Sequence, residues 1–584
     1  MNHSFGSLRL VAFALLLAWC TPAWAAKPTL LTDTKTIRAC EQGERYRVLA
    51  TEGGLLIEAR LSGKTKRLTR LDGLPGTRID SLLLEGEDAW VGTESGLARV
   101  DLVKGKVSEA YDWGTSVRAL TRFKGRIHAA LWERGLAIEG KSGAFRLPRA
   151  RGELAETIRA RARITSLTRW GSRLVGTTMS RGLIEYQGRQ TRELGVLSQV
   201  PAWDSLQAKG ALYVATSGGL FTYEHSKLRA QGPSHWDVRR LTKKNSKVLI
   251  TTKASGLKTY DLNQGRFDNR KTNKVSECAK LSHSDSRPEL APHLPVSDIS
   301  SASHCHGRTF LGGFDQGLFS LGDGRARRIL ARTVDAKVNT LLCTPTRLLV
   351  GTARGLYTLD PQGKLEALFK ESSGLPSHNV LSLARDGNDR VLVGTSRGLA
   401  LLSGDAITPL GKKSGGIESA IWALHSDGSG RTWIGTNRGL FLAKSHRDLL
   451  SSRFSRLSTS RHQLEDDWIT AITSRGSRVL VGTYAHGVQE LAHRDGSWVQ
   501  VADFGGGYVN LGALSVLETK DGPLVLVGTM RGLLVKQWQA REWEKKKMAA
   551  PGIDVTASLR LPGGKFLVTS RRGAAVHDSV LTVR

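Results

Sequence analysis

The chain has 584 residues, of which 64 are glycine and 6% aromatic, and it shows no sustained 3.6-residue hydrophobic period; this excludes helical bundles and coiled coils and fits a turn-rich, all-β protein. Its 85 Lys and Arg outnumber 53 Asp and Glu, giving a formal net charge of +32. So one-signed a field favours acidic partners: anionic glycans, lipid head groups or acidic proteins.

Residues 1–25 read as a secretory signal. Arg9 supplies a positive start, residues 10–19 form an apolar run too short to span a bilayer, and Ala23-Trp24-Ala25 gives an A-x-A cleavage site. A lipoprotein signal acylated at Cys20 is the competing reading, disfavoured because Trp19 is large where a small residue is wanted. No other segment approaches the ~18 apolar residues of a membrane helix, so no transmembrane anchor is expected. The expected location is periplasmic or secreted, which also disfavours nucleic acid as a partner.

From residue 49 onward one short phrase recurs thirteen times. It reads VGTESGLARV from Val91, VGTARGLYTL from Val350, VGTSRGLALL from Val393, IGTNRGLFLA from Ile434 and VGTMRGLLVK from Val527, with weaker copies at Leu49, Ala130, Val214 and Val568. Each copy is an apolar strand, a tight turn and a returning strand, with a glycine where a positive φ is wanted. The turn glycines are Gly54, Gly96, Gly135, Gly182, Gly219, Gly256, Gly317, Gly355, Gly398, Gly439, Gly487, Gly532 and Gly573. Most are spaced 37 to 48 residues apart. A β-rich repeat of about 40–45 residues predicts propeller blades of four strands.

One blade can be followed strand by strand: residues 338–344 innermost, then 347–351, 356–359 and 364–369. Both ends of the chain read as complete blades, residues 36–70 at the start and 554–584 at the end. Thirteen blades exceed one ring of typically four to eight. The 61-residue gap between Gly256 and Gly317 marks the seam. The expected layout is therefore two tandem β-propellers, with six or seven blades over residues 26–270, an inter-propeller segment at 271–295 and seven blades over 296–584.

With Cys20 lost in the leader, four cysteines remain: Cys40, Cys278, Cys305 and Cys343. In an exported protein they permit two disulfides. Cys40–Cys278 is favoured, since it would fasten the first ring; Cys305 and Cys343 occupy equivalent places in neighbouring blades, where the separation threatens to exceed disulfide reach.

The connector-plus-hairpin units at residues 374–402 (GLPSHNVLSLARDGNDRVLVGTSRGLALL) and 415–442 (GGIESAIWALHSDGSGRTWIGTNRGLFL) resemble the two-component regulator propeller repeat. The resemblance implies a periplasmic sensor-type double propeller. It departs from the family layout, in which the propellers precede an Ig-like domain, a membrane helix and a histidine kinase. A separate membrane partner would have to carry any signal.

The residue before the turn glycine is arginine in seven copies, among them Arg354, Arg397, Arg438, Arg531 and Arg572 of the second ring, and His486 in an eighth. These turns share a face with the connectors leading to the inner strands, so a broken circle of guanidinium groups is expected on one rim, suited to carboxylate or sulfate. His378, Asn379, Trp422 and Trp468, with Tyr508 and Asn510, should lie at the same rim. Against this stand the simpler readings that arginine tolerates a solvated turn and that each tryptophan packs in the core.

Signals for chemistry are thin. His304-Cys305-His306 offers two histidines on one face of a strand without further ligands, so no metal is assigned. Asp386-Gly387-Asn388-Asp389 reads as a hairpin turn, and residues 426–433 (SDGSGRTW) resemble a displaced Asp-box turn. No catalytic residue and no cofactor are assigned. A binding protein for an acidic glycan or an acidic envelope protein is the favoured reading. The alternatives are a propeller lyase using His378 or His486 as base, and a structural docking platform.

Overall fold

The computed structural model describes residues 28–579 except 35–36, 133, 147–162, 188–189, 196–199, 253–256, 269–293, 295, 297, 323–324, 330–336, 387–389, 411–416, 452, 506 and 547–548. The proposed leader, Cys278 and most of the seam therefore lie outside the described residues. No helix among the described residues is long and apolar enough to cross a membrane.

The described residues form thirteen four-stranded antiparallel sheets. Blades 1 to 6 span residues 37–68, 79–112, 117–146, 164–195, 202–230 and 238–268. Blades 7 to 12 span residues 299–328, 338–369, 380–410, 421–457, 469–503 and 509–546, and blade 13 is built on residues 555–577. Inner strands of successive blades pack side by side within each group, and the inner strand of blade 13 packs back on that of blade 7. The second propeller is thus a closed ring of seven blades. Six blades of the first are described.

The core is distributed between blades, because each sheet buries both faces against its neighbours. Blades 1 and 2 clamp Val48, Leu55, Ile57, Val91 and Val100; blades 8 and 9 clamp Leu349, Leu356, Val391 and Val393. This explains why the second strand of every blade is almost wholly apolar.

The threonine of the recurring phrase closes its turn. Thr352 is fully buried; its Oγ1 accepts from the Arg354 N–H at 3.1 Å and donates to the Gly355 carbonyl at 2.9 Å. Thr395, Thr436 and Thr529 repeat both bonds. At Gly355, φ is +143° and a Cβ would fall 2.6 Å from the Phe369 carbonyl oxygen. Gly96 departs from the expected positive φ; there, a Cβ would lie 1.9 Å from the Tyr111 carbonyl oxygen, so contact with the outer strand excludes a side chain instead.

Three expectations are corrected. Residues 554–584 do not supply four strands: the outer strand of blade 13 is β1 (Thr29–Leu31), which pairs antiparallel with Gly573–His577. The cysteines doubted as too distant are joined, Cys305 to Cys343, with Cα atoms 5.5 Å apart. They lie at the ends of adjacent inner strands, where blades converge on the ring axis. Cys40 is also disulfide-bonded, and Cys278, the partner favoured from sequence, lies outside the described residues. Finally, His304 and His306 do not share a strand face, because the strand ends at Cys305 and His306 turns with φ +47°.

Candidate functional site

The second propeller presents a mouth at one end of its axis, and its geometry follows from a backbone rule repeated around the ring. The residue after the phrase threonine, or its equivalent, donates its N–H to the carbonyl of the residue just before the inner strand. Phe314 reaches Asp298 at 2.8 Å, Tyr484 reaches Trp468 at 2.9 Å, Met530 reaches Tyr508 at 3.3 Å and Arg571 reaches Asp554 at 3.1 Å. Turn residues and connector residues are thereby held over one another at the same rim.

Aromatic rings run along one arc of this mouth. Trp422 and Trp468 lie 6.0 Å apart between ring centroids; Trp468 stacks on Tyr484 at 4.3 Å and 17°, and Tyr484 meets Tyr508 edge-on at 5.2 Å. Phe314, Tyr484, Tyr508 and Met530 are 36–41% exposed, large apolar groups facing water together. The indole N–H groups of Trp422 and Trp468 are buried without an acceptor among the described residues. Amides continue the arc: Asn339 donates to Asn379 Oδ1 at 3.0 Å and to the Val380 carbonyl at 2.7 Å, and Asn510 donates to Asp554 and to the Val555 carbonyl, both at 2.6 Å.

The arc runs on into a charged stretch where blade 13 meets blade 7. Arg571 pairs with Asp554 at 2.9 Å and Asp298 at 3.1 Å and lies over the Phe314 ring at 5.0 Å, with Lys337 over the same ring at 4.5 Å. Burial raises the Asp298 carboxyl above its usual value, opposed by Arg571 and Arg572.

Of the rim arginines, Arg354, Arg397, Arg438 and Arg531 are exposed. Their backbones are pinned to the phrase threonines, and their guanidinium groups have no ion-pair partner among the described residues. Arg572 behaves differently: it is half-buried and reaches carboxylates of the first propeller, Glu94 at 3.6 Å and Glu52 at 3.8 Å. It belongs to the junction between rings rather than to a free rim. His378 lies 3.3 Å from Glu371 and His486 lies 3.9 Å from Asp466, in different blades, and neither is paired with a rim arginine.

Elsewhere the candidate chemistry resolves into structure. Asp427 accepts from the Trp433 indole at 3.0 Å, from Arg431 Nε at 2.7 Å and from the Ser429 and Arg431 N–H groups, so the Asp-box-like turn is a fold device. Cys305, His306 and Cys343 form a metal-like cluster, but both sulfurs are spent in the disulfide. Sequence reasoning missed Phe314, Lys337, Asn339, Tyr484, Met530 and Arg571. Superposing the phrases would have exposed them, since each occupies the residue after the phrase threonine's position or flanks the start of an inner strand.

No protein-family profile matches the sequence, and no curated protein matches it. Among solved structures the chain is similar to PorZ, an essential surface component of the type-IX secretion system of Porphyromonas gingivalis, with 12% identity, a TM-score of 0.49, and coverage of 95% of this chain and 87% of that one. It is also similar to the extracellular domain of BT3049 from B. thetaiotaomicron, described as a hybrid two-component system, with 14% identity, a TM-score of 0.42, and coverage of 94% and 75%. The extracellular domain of BT4673 from the same organism is similar at 13% identity, with a TM-score of 0.39 and coverage of 95% and 82%. At such identities residue roles do not transfer.

Proposed function

We propose that the protein is an exported, sensor-type double β-propeller that binds an acidic saccharide at the mouth of its second propeller, without catalysing a reaction on it. The observation that supports this most is the Trp468–Tyr484–Tyr508 ladder, whose two tyrosines are exposed, lying on the turn face that also carries Arg354, Arg397, Arg438 and Arg531, which have no ion-pair partner among the described residues. Aromatic faces suit the apolar sides of pyranose rings, amides suit hydroxyls, and guanidinium forks suit carboxylate or sulfate. The histidine geometry favours binding over lyase chemistry, because each histidine faces a carboxylate rather than a charge-neutralising cation.

The test is a thermal-shift screen of the mature protein against acidic and neutral oligosaccharides at low and moderate salt. A ligand raises the melting temperature by mass action. The expected result is a saturable shift with an acidic sugar that shrinks with salt, is lost in Tyr484→Ala/Tyr508→Ala and is weakened in Arg397→Ala/Arg438→Ala. Absence of a shift with every sugar, or a shift indifferent to both variants, would sink the reading.

A further inference from the structure

Between blades 3 and 4, at the end of the first propeller away from its recurring turns, the sheets part around a cavity of about 700 Å³. Its walls follow from the strand pattern. Residues directly opposite one another in neighbouring antiparallel strands share a face of the sheet. His128 stands opposite Ile138 in blade 3, and Leu174 stands opposite Tyr186 in blade 4. Those two faces meet, since Phe123 and Leu136 of blade 3 pack in one cluster with Leu174 and Tyr186 of blade 4. Phe123, Leu136, Ile138 and Leu174 give the cavity an apolar body. A space of this size, walled by apolar side chains with a few polar groups among them, has the dimensions of a small-molecule site.

Two polar groups line it with bonding capacity unused. His128 is buried, and its Nδ1 lies 3.0 Å from the Arg126 carbonyl. A carbonyl can only accept, so Nδ1 carries the proton and Nε2 the lone pair. Burial holds this imidazole below its usual value, and the Arg126 charge adds to that, against the hydrogen bond to the Arg126 carbonyl. The ring is therefore neutral at neutral pH, and Nε2 is an acceptor without a partner among the described residues. The Tyr186 hydroxyl is pushed up by burial alone, so it keeps its proton, and it too makes no hydrogen bond among the described residues. Polar groups taken from water normally find partners; here an acceptor and a donor line the same space.

The cations around the cavity are unequally used. Arg173 lies 3.7 Å from the buried Glu185 carboxylate and over the Trp170 ring at 5.1 Å, so these two lining charges answer each other. Glu139, whose field also reaches His128, is engaged by Arg122 at 3.9 Å and by the Ile127 N–H at 2.9 Å. Lys124 and Arg126 flank the turn between the first two strands of blade 3, are exposed, and have no ion-pair partner among the described residues. A ligand complementary to all of this has an apolar body, a hydroxyl that both donates and accepts, and an anionic end.

We propose that this interblade cavity is a second ligand site, which takes a small phenolic carboxylic acid: its hydroxyl bonded by His128 and Tyr186, its ring against the apolar wall, its carboxylate at Lys124 and Arg126. The site is independent of the saccharide reading of the second propeller and stands or falls separately. Calorimetric titration of the full chain in about 150 mM chloride tests it, with three probes: para-hydroxycinnamate, cinnamate, which lacks the hydroxyl, and para-hydroxybenzyl alcohol, which lacks the carboxylate. Saturable binding of para-hydroxycinnamate is expected, with each of the other two severalfold weaker. Tyr186→Phe should weaken para-hydroxycinnamate severalfold and leave cinnamate unchanged. It should also leave the melting temperature unchanged, because the hydroxyl it removes bonds nothing among the described residues. Lys124→Gln/Arg126→Gln, at exposed positions, should weaken both acids about tenfold. Arg397→Ala/Arg438→Ala, on the other propeller, should change nothing. No saturable binding of para-hydroxycinnamate, or binding indifferent to Tyr186→Phe or to Lys124→Gln/Arg126→Gln, would overturn the assignment.

Discussion

Thr352→Val removes one hydroxyl from the recurring turn while keeping the side chain's shape. The hydroxyl is fully buried and makes two bonds, from the Arg354 N–H at 3.1 Å and to the Gly355 carbonyl at 2.9 Å. A neutral intramolecular hydrogen bond contributes about 1 kcal/mol net, and a buried group left unpaired costs more, so the substitution should destabilise the second propeller by about 2–3 kcal/mol. For a ring of this size the cost corresponds to a fall in melting temperature of roughly 4–10 °C. Differential scanning calorimetry of wild type, Thr352→Val and Thr352→Ser measures it. The serine variant keeps the hydroxyl and should recover most of the loss, and Thr395→Val should match Thr352→Val. A valine variant melting with wild type, or a serine variant as damaged as the valine one, would refute the turn-closing role.

Two further outcomes follow from the packing. Cys305→Ala/Cys343→Ala opens a cross-link of 38 residues' separation and should cost about 4 kcal/mol by loop-closure entropy, read as a lower denaturation midpoint that reductant does not lower further at this site. Glu94 is held at the junction between the propellers with its carboxyl raised above the ordinary 4.5 by burial, against the pull of Arg572 and Arg78. A folded state that holds this proton more tightly than the unfolded chain loses stability as pH climbs through 4.5 toward the raised value, then levels off. Glu94→Gln should therefore gain on wild type over that rise, with no further gain above it; a difference in midpoint independent of pH would contradict the assignment.

The fold was legible because each blade solves the same burial problem with the same residues. The Val-Gly-Thr strand, the threonine-closed turn and the glycine against the outer strand recur because packing and backbone geometry demand them at every blade. The mouths were not legible for the converse reason. Where an inner strand leaves a residue out of its pairing with the second strand, the residue type changes from blade to blade, so Arg38, Asp80, Trp203 and Asn339 share a place in the fold and little in chemistry. Long-range contacts were hidden too. Arg572 reads as one more turn arginine until Glu52 and Glu94 come against it, and three residues, Thr29-Leu30-Leu31, carry no sign that they serve the far blade. The doubt over Cys305 and Cys343 arose from treating blades as evenly spaced, whereas their inner strands crowd the axis.

The N-terminal strand has a consequence for how the molecule is put together. Leu31 packs with Leu294, Leu311, Phe319 and Leu567 where blade 13 meets blade 7. Arg67 of blade 1 grips the adjoining chain, donating to the Leu30 carbonyl at 3.2 Å and to the Thr32 hydroxyl at 3.0 Å. The segment precedes blade 1 in the chain and its sheet partner belongs to blade 13, so the second ring can complete only after both propellers have been synthesised. Closing so long a loop is slow, which gives a long-lived interval in which the chain remains open. It also sets the terms for dissection: residues 296–584 alone would present an unpaired strand edge on blade 13, whereas adding residues 28–34 as a separate peptide should restore the clasp.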